Sequence, residues 1–105
     1  MLIGVEMCHK AEFVFTLFYS DLNVPSLNVK SALTQIVNKD HQSFTAKLKL
    51  VNYDKEKVLC KKHGISGIPQ LLIHQNDRLV GRFRGEVTSD EFTAILNNLM
   101  KSQLA

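Results

Sequence analysis

Seven consecutive residues, Phe13-Val14-Phe15-Thr16-Leu17-Phe18-Tyr19, are apolar or aromatic apart from a single threonine. A run of that length and composition suits a strand buried on both faces, not one with a wet side. A strand covered twice needs neighbours in a sheet and layers above and below it, which directs the chain toward a sheet with helices on both faces. The 105 residues leave room for one such core, so residues 1–105 read as a single domain. Apolar residues at 45% and charged residues at 22% are those of an ordinary globular protein, with no disulfide or metal staple required.

The remaining elements follow from periodicity. Residues 24–39 predict a helix, since Val29, Ala32, Leu33, Ile36 and Val37 form one apolar stripe. Asp21 or Asn23 is placed to cap it, and Pro25 falls in its first turn, where a missing N–H costs nothing. Residues 44–51 alternate, with Phe44, Ala46, Leu48 and Leu50 against Thr45, Lys47 and Lys49, the period of a strand. A short helix is expected over 55–62, closed by Gly64. Residues 71–73 and 79–83 flank Gln75-Asn76-Asp77-Arg78 as a hairpin. Thr88 and Glu91 form a capping box ahead of the stripe Phe92, Ile95, Leu96, Leu99 and Met100. Residues 2–5 suit a short first strand and residues 8–12 at most one helical turn. The β-α-β start demands a parallel crossover and the hairpin is antiparallel, so the sheet is mixed.

The charge excludes several classes. Net charge is +3, with five Lys/Arg against four Asp/Glu in residues 1–53 and eight against six in residues 54–105. That balance is too even for a nucleic-acid stripe, and Lys55, Lys57, Lys61, Lys62, Arg78, Arg82 and Arg84 alternate with Asp54, Glu56, Asp77 and Glu86 as on a mixed solvated surface. No apolar run reaches the length of a membrane span. Glu6 interrupts Met1–Val5, so the start does not read as a signal peptide. Cys8 and Cys60 make no disulfide framework, and a cytoplasmic protein with reduced thiols is expected.

The element order, together with Gly64-Ile65-Ser66-Gly67-Ile68-Pro69, resembles the thioredoxin family over about residues 13–102. Phe18 with Tyr19, Pro25, Asn52 with Asp54, and Gly85 support it. The resemblance implies the thioredoxin fold, a mixed central sheet of four or five strands with helices on both faces, here with the N-terminal strand and helix shortened within residues 1–12. It implies that Pro69 follows a cis peptide bond beside the active site. It also sets the family's Trp-Cys-Gly-Pro-Cys on Leu22-Asn23-Val24-Pro25-Ser26, with Asn23 for the nucleophilic cysteine and Ser26 for the resolving one. Exchange needs a thiolate at the helix N-terminus and a second thiol. An amide and a hydroxyl supply neither. The family's buried aspartate and its lysine partner fall on Leu17 and Leu50, taking a two-residue insertion near residues 40–43, and Ser31 stands where the family has a helix-kinking proline.

The expected function is therefore a redox-inactive module that binds a protein or an extended peptide, without cofactor, at a surface of Tyr19, Leu22, Val24, Ile68 and Pro69. The backbone before the family's cis-proline pairs with extended peptides. Two blander readings stand beside it: Pro69 only starts its strand, and Leu22 and Tyr19 tuck into the core. Cys60-Lys61-Lys62-His63, with Cys8-His9, could gather metal ligands, but the spacing fits no zinc-finger pattern and no metal is assigned. Ser26 has no His–Asp relay near it in sequence and is not read as a nucleophile. The alternatives are residual thiol chemistry through Cys60 and an accessory role in a nucleic-acid enzyme. The oligomeric state is left open.

Overall fold

The computed structural model of the chain describes residues 11–38 and 44–104. The apolar run lies in β1 (Ala11–Tyr19), which pairs in parallel with β2 (Phe44–Asn52). On its other edge β1 pairs antiparallel with β3 (Gln70–Gln75), which continues into β4 (Arg78–Arg84) through a tight hairpin. Among the described residues the strand order is β2-β1-β3-β4. Asn76 and Asp77 both take positive φ, 50° and 70°, the backbone sign that lets a two-residue turn follow the twist of its strands.

Two apolar clusters hold the sheet from opposite sides. Phe13, Phe15 and Leu17 point to one face, where α1 (Val24–Val37) contributes Val29, Leu33 and Ile36 and α3 (Ser89–Leu104) contributes Phe92 and Leu96. Phe18 and Leu72 point to the other, where α2 (Lys57–Lys62) supplies Cys60 and the loop after it supplies Ile65. The side of β1 carrying Phe13, Phe15 and Leu17 is fully covered, whereas on the α2 side Phe18 is buried and Val14 and Thr16 are half-buried along a hollow.

The helix ends follow local chemistry. At α3, the Thr88 N–H donates to Glu91 Oε1 (3.1 Å) and the Glu91 N–H donates to Thr88 Oγ1 (3.2 Å), the reciprocal pair expected from the sequence. At the end of α2, Gly64 takes φ +69° and its N–H bonds Lys61 O (3.0 Å) while the Ile65 N–H bonds Cys60 O (2.9 Å). Several boundaries differ from the periodicity reading. Ala11 and Glu12 are strand, not helical turn, because β2 runs alongside and Ala11–Phe44 and Glu12–Thr45 continue the parallel ladder. β3 and β4 reach past their apolar centres to Gln70, Gln75, Arg78 and Arg84, which the antiparallel ladder holds whatever their polarity. α1 stops at Val37 with Asn38 as its cap. The expected strand at 2–5, the pair Cys8-His9 and the insertion near 40–43 lie outside the described residues. No helix among the described residues is long and apolar enough to cross a membrane.

Candidate functional site

The carboxyl end of β1 and the amino end of β3 meet at one edge of the molecule, with Phe18 opposite Gln70. There the chain leaves β1, turns, and starts α1. Ser20 is buried, and its Oγ donates to Asp54 Oδ2 (2.6 Å) and accepts from the Leu22 N–H (3.1 Å). The Asn23 N–H donates to Ser20 O (3.2 Å), and the Tyr53 N–H donates to Tyr19 O (2.8 Å). The loop is thereby pinned to the end of β2, which fixes where α1 begins.

Asn23 is the helix cap, with φ −122° and ψ 113°. Its Oδ1 accepts from the Ser26 N–H at 2.8 Å, satisfying a donor that the first helical turn leaves free. Pro25 stands within that turn, half-buried. Ser26 is fully buried, and its Oγ has no hydrogen-bond partner among the described residues. A serine nucleophile needs a base in reach; this hydroxyl has neither base nor access.

Leu22 and Val24 face outward, 91% and 68% exposed. Leu27, one turn on from Val24, is also exposed, and the sequence reading passed over it. Its signal was present: Leu27 falls outside the stripe of Val29, Ala32, Leu33 and Ile36, which the core takes. Tyr19 lies differently from Leu22. It is half-buried against the α1-side cluster, and Lys30 Nζ stands 4.8 Å from its ring centroid. Ile68 is half-buried against the α2-side cluster, Pro69 is buried, and the bond between them is cis. The Gly85 N–H donates to Pro69 O at 2.9 Å, tying this segment to the start of the α3 connection. Gln70 is buried with neither end of its amide bonded within the described residues, a feature no sequence pattern announced.

The other candidates lie on the α2 side of Phe18. Cys60 is buried on the inner side of α2, and burial first and the Glu56 carboxylate second push its thiol above the ordinary range. His63 packs its ring against Phe18, centroids 5.6 Å apart. No three His, Cys, Asp or Glu side chains among the described residues converge as a metal site.

The thioredoxin family model matches residues 5–98. The chain belongs to the thioredoxin family. Its structure is similar to a mutant thioredoxin from Halobacterium salinarum, with a TM-score of 0.72 and 17% identity over 82% of this chain and 73% of that one. It is similar to thioredoxin-2 of the malaria parasite, described as a component of the parasite's protein secretion machinery, with a TM-score of 0.73 and 16% identity over 86% and 85%. It is also similar to Trxlp from Edwardsiella tarda, with a TM-score of 0.72 and 20% identity over 90% and 89%. Identities this low establish the thioredoxin fold and nothing finer. Among curated proteins no match is found.

Proposed function

We propose that this thioredoxin-family protein carries out no thiol–disulfide exchange at the family's site, and that it holds an extended segment of a partner protein there, as a scaffold or chaperone-like module working in the cytoplasm. The observation that carries the reading is Asn23. Where exchange needs a thiolate resting on the helix N-terminus, an amide oxygen already occupies the Ser26 N–H. Ser26, in the resolving position, is sealed from solvent. What the site offers instead is apolar surface on Leu22, Val24 and Leu27, beside the Ile68–Pro69 segment. An extended segment laid along that segment would gain main-chain hydrogen bonds and bury one or two apolar side chains. Chemistry through Cys60 is disfavoured on both counts that govern thiol reactivity, since the thiol is buried and its ionisation is suppressed.

The test has two arms. In an insulin-reduction assay driven by dithiothreitol, the protein should add nothing to the blank; turnover above the blank that Cys60→Ser abolishes would mean that thiol chemistry persists. For binding, Leu22→Asp should weaken capture of extended, apolar peptides about tenfold or more, since one buried apolar side chain contributes roughly 1.5–3 kcal/mol. Its melting temperature should stay that of the parent chain, because Leu22 packs against almost nothing. Peptide binding indifferent to Leu22→Asp would refute the site.

A further inference from the structure

The solvent side of α2 consists of Lys57, Val58, Lys61 and Lys62, all exposed, with Lys55 exposed just ahead of the helix. None of these lysines has an ion-pair partner among the described residues. Lys61 and Lys62 have a structural role, because cations in a last helical turn complement the helix dipole. Lys55 and Lys57 do not. They stand at the amino end of α2, where the dipole opposes positive charge, and although the cap residue is Glu56 the first turn itself contains no acid. Helix stability therefore accounts for half of the cluster and works against the other half.

Val58 adds a second observation. It is 86% exposed in the middle of the lysines, and it borders a hollow of about 580 Å³ that Lys55, Lys57, Lys62 and Leu59 also line. Asp54 and Glu56 complete the rim, but Asp54 turns its carboxylate to the Ser20 hydroxyl. The result is an apolar spot bordered by lysines with Glu56 among them, on the face of the sheet opposite α1 and α3.

We propose that this face of α2 docks a short acidic segment of another protein, with carboxylates against Lys55, Lys57, Lys61 and Lys62 and one apolar side chain against Val58 and Leu59. Charge complementarity selects an anion, and the apolar centre selects a peptide over a nucleic acid. A phosphate backbone offers no apolar side chain to set against the exposed Val58. It would also meet no fully exposed aromatic ring among the described residues, Tyr53 beside Lys57 and Lys61 being half-buried. The helix is six residues long, roughly 9 Å, which matches a short segment and not a duplex footprint. Asp54 on this rim is linked through Ser20 to the Leu22 backbone, so this surface adjoins the one at Leu22, but neither proposal needs the other.

The probe is a fluorescein-labelled synthetic peptide of glutamates around a central leucine, titrated by anisotropy against the full chain, with an oligonucleotide of equal charge in parallel. The peptide should bind, and binding should weaken as salt rises. Lys57→Glu with Lys61→Glu should weaken it about tenfold or more, and Val58→Asp should weaken it comparably, while Ser31→Asp, on the exposed side of α1, binds as the parent chain does. All the substituted side chains are exposed, and circular dichroism melts confirm that each variant is folded. Failure of the peptide to bind, equal binding by the charge-reversed variant, or tighter binding of the oligonucleotide than of the peptide would each overturn the proposal.

Discussion

Leu17 and Leu50 stand directly opposite each other on β1 and β2, the adjacency expected where the resemblance sets the family's buried acid and base. Their environments differ: Leu17 is fully buried, while Leu50 is 40% exposed because β2 is the outer strand of the described sheet. The two positions therefore tolerate charge unequally. Leu17→Asp would bury an unpaired carboxylate in the centre of the sheet and should cost about 3–5 kcal/mol. Leu50→Lys alone should be mild, since a lysine stem can lie on the sheet with its ammonium in water. The double variant should recover part of the Leu17→Asp loss and not all of it, because an ammonium drawn to solvent neutralises a buried carboxylate incompletely. Urea melts of the three variants measure this; a silent Leu17→Asp would contradict the burial of Leu17. At this scale the sequence was most legible where a residue's chemistry is local. Asn23 as a cap is such a case, because the preference arises within one turn. The Ser20–Asp54 bond spans 34 positions, and only the fold could bring it together.

Elements were legible where period and punctuation agreed. The stripes of α1 and α3 reappear as faces packed on the core because a helix has no other way to hide them, and the capping box of α3 reappears as its reciprocal hydrogen bonds. Strand ends were not legible, since ladder partners decide them: Glu12 and Gln70 look like loop residues until β2 and β1 pair with them. The short helix α2 lies between these cases. Its start drifted from the expected 55 to Lys57, yet its glycine end was correctly placed. That end gives a clean prediction. A methyl group on Gly64 would meet nothing within 4 Å, so the cost of Gly64→Ala is the backbone alone, held at φ +69°. Loss of about 1–2 kcal/mol is expected by chemical denaturation. Gly67→Ala is the control: its Cβ also meets nothing and its φ is not left-handed, so it should be neutral or slightly stabilising. Equal effects of the two substitutions would mean that the helix end is not fixed by that backbone conformation.

Taken as a whole, the molecule keeps its charges mixed and divides its apolar burial. Asp54 and Glu56 stand among the α2 lysines, and Arg82 and Arg84 line one hollow with Glu86 and Glu91 at the start of α3. Apolar burial is unequal between the two faces. Among the described residues, the cluster under α1 and α3 contains twelve buried residues, against five under α2. Local opening costs less where fewer apolar contacts must be broken. The α2 segment and the loop to Ile65 should therefore open as a unit at lower free energy than β1 and β3. Native-state hydrogen exchange should show this as less protection for the amides of Cys60, His63 and Ile65 than for those inside β1. Ile65→Ala should lower the α2 protection further, by roughly the 2–5 kcal/mol such truncations cost, up to the point of full local opening. The amides of Phe15 and Leu17 should lose protection only through global unfolding. Were α2 as protected as β1, the two clusters would form one cooperative core, and the smaller one would owe its stability to the sheet it covers.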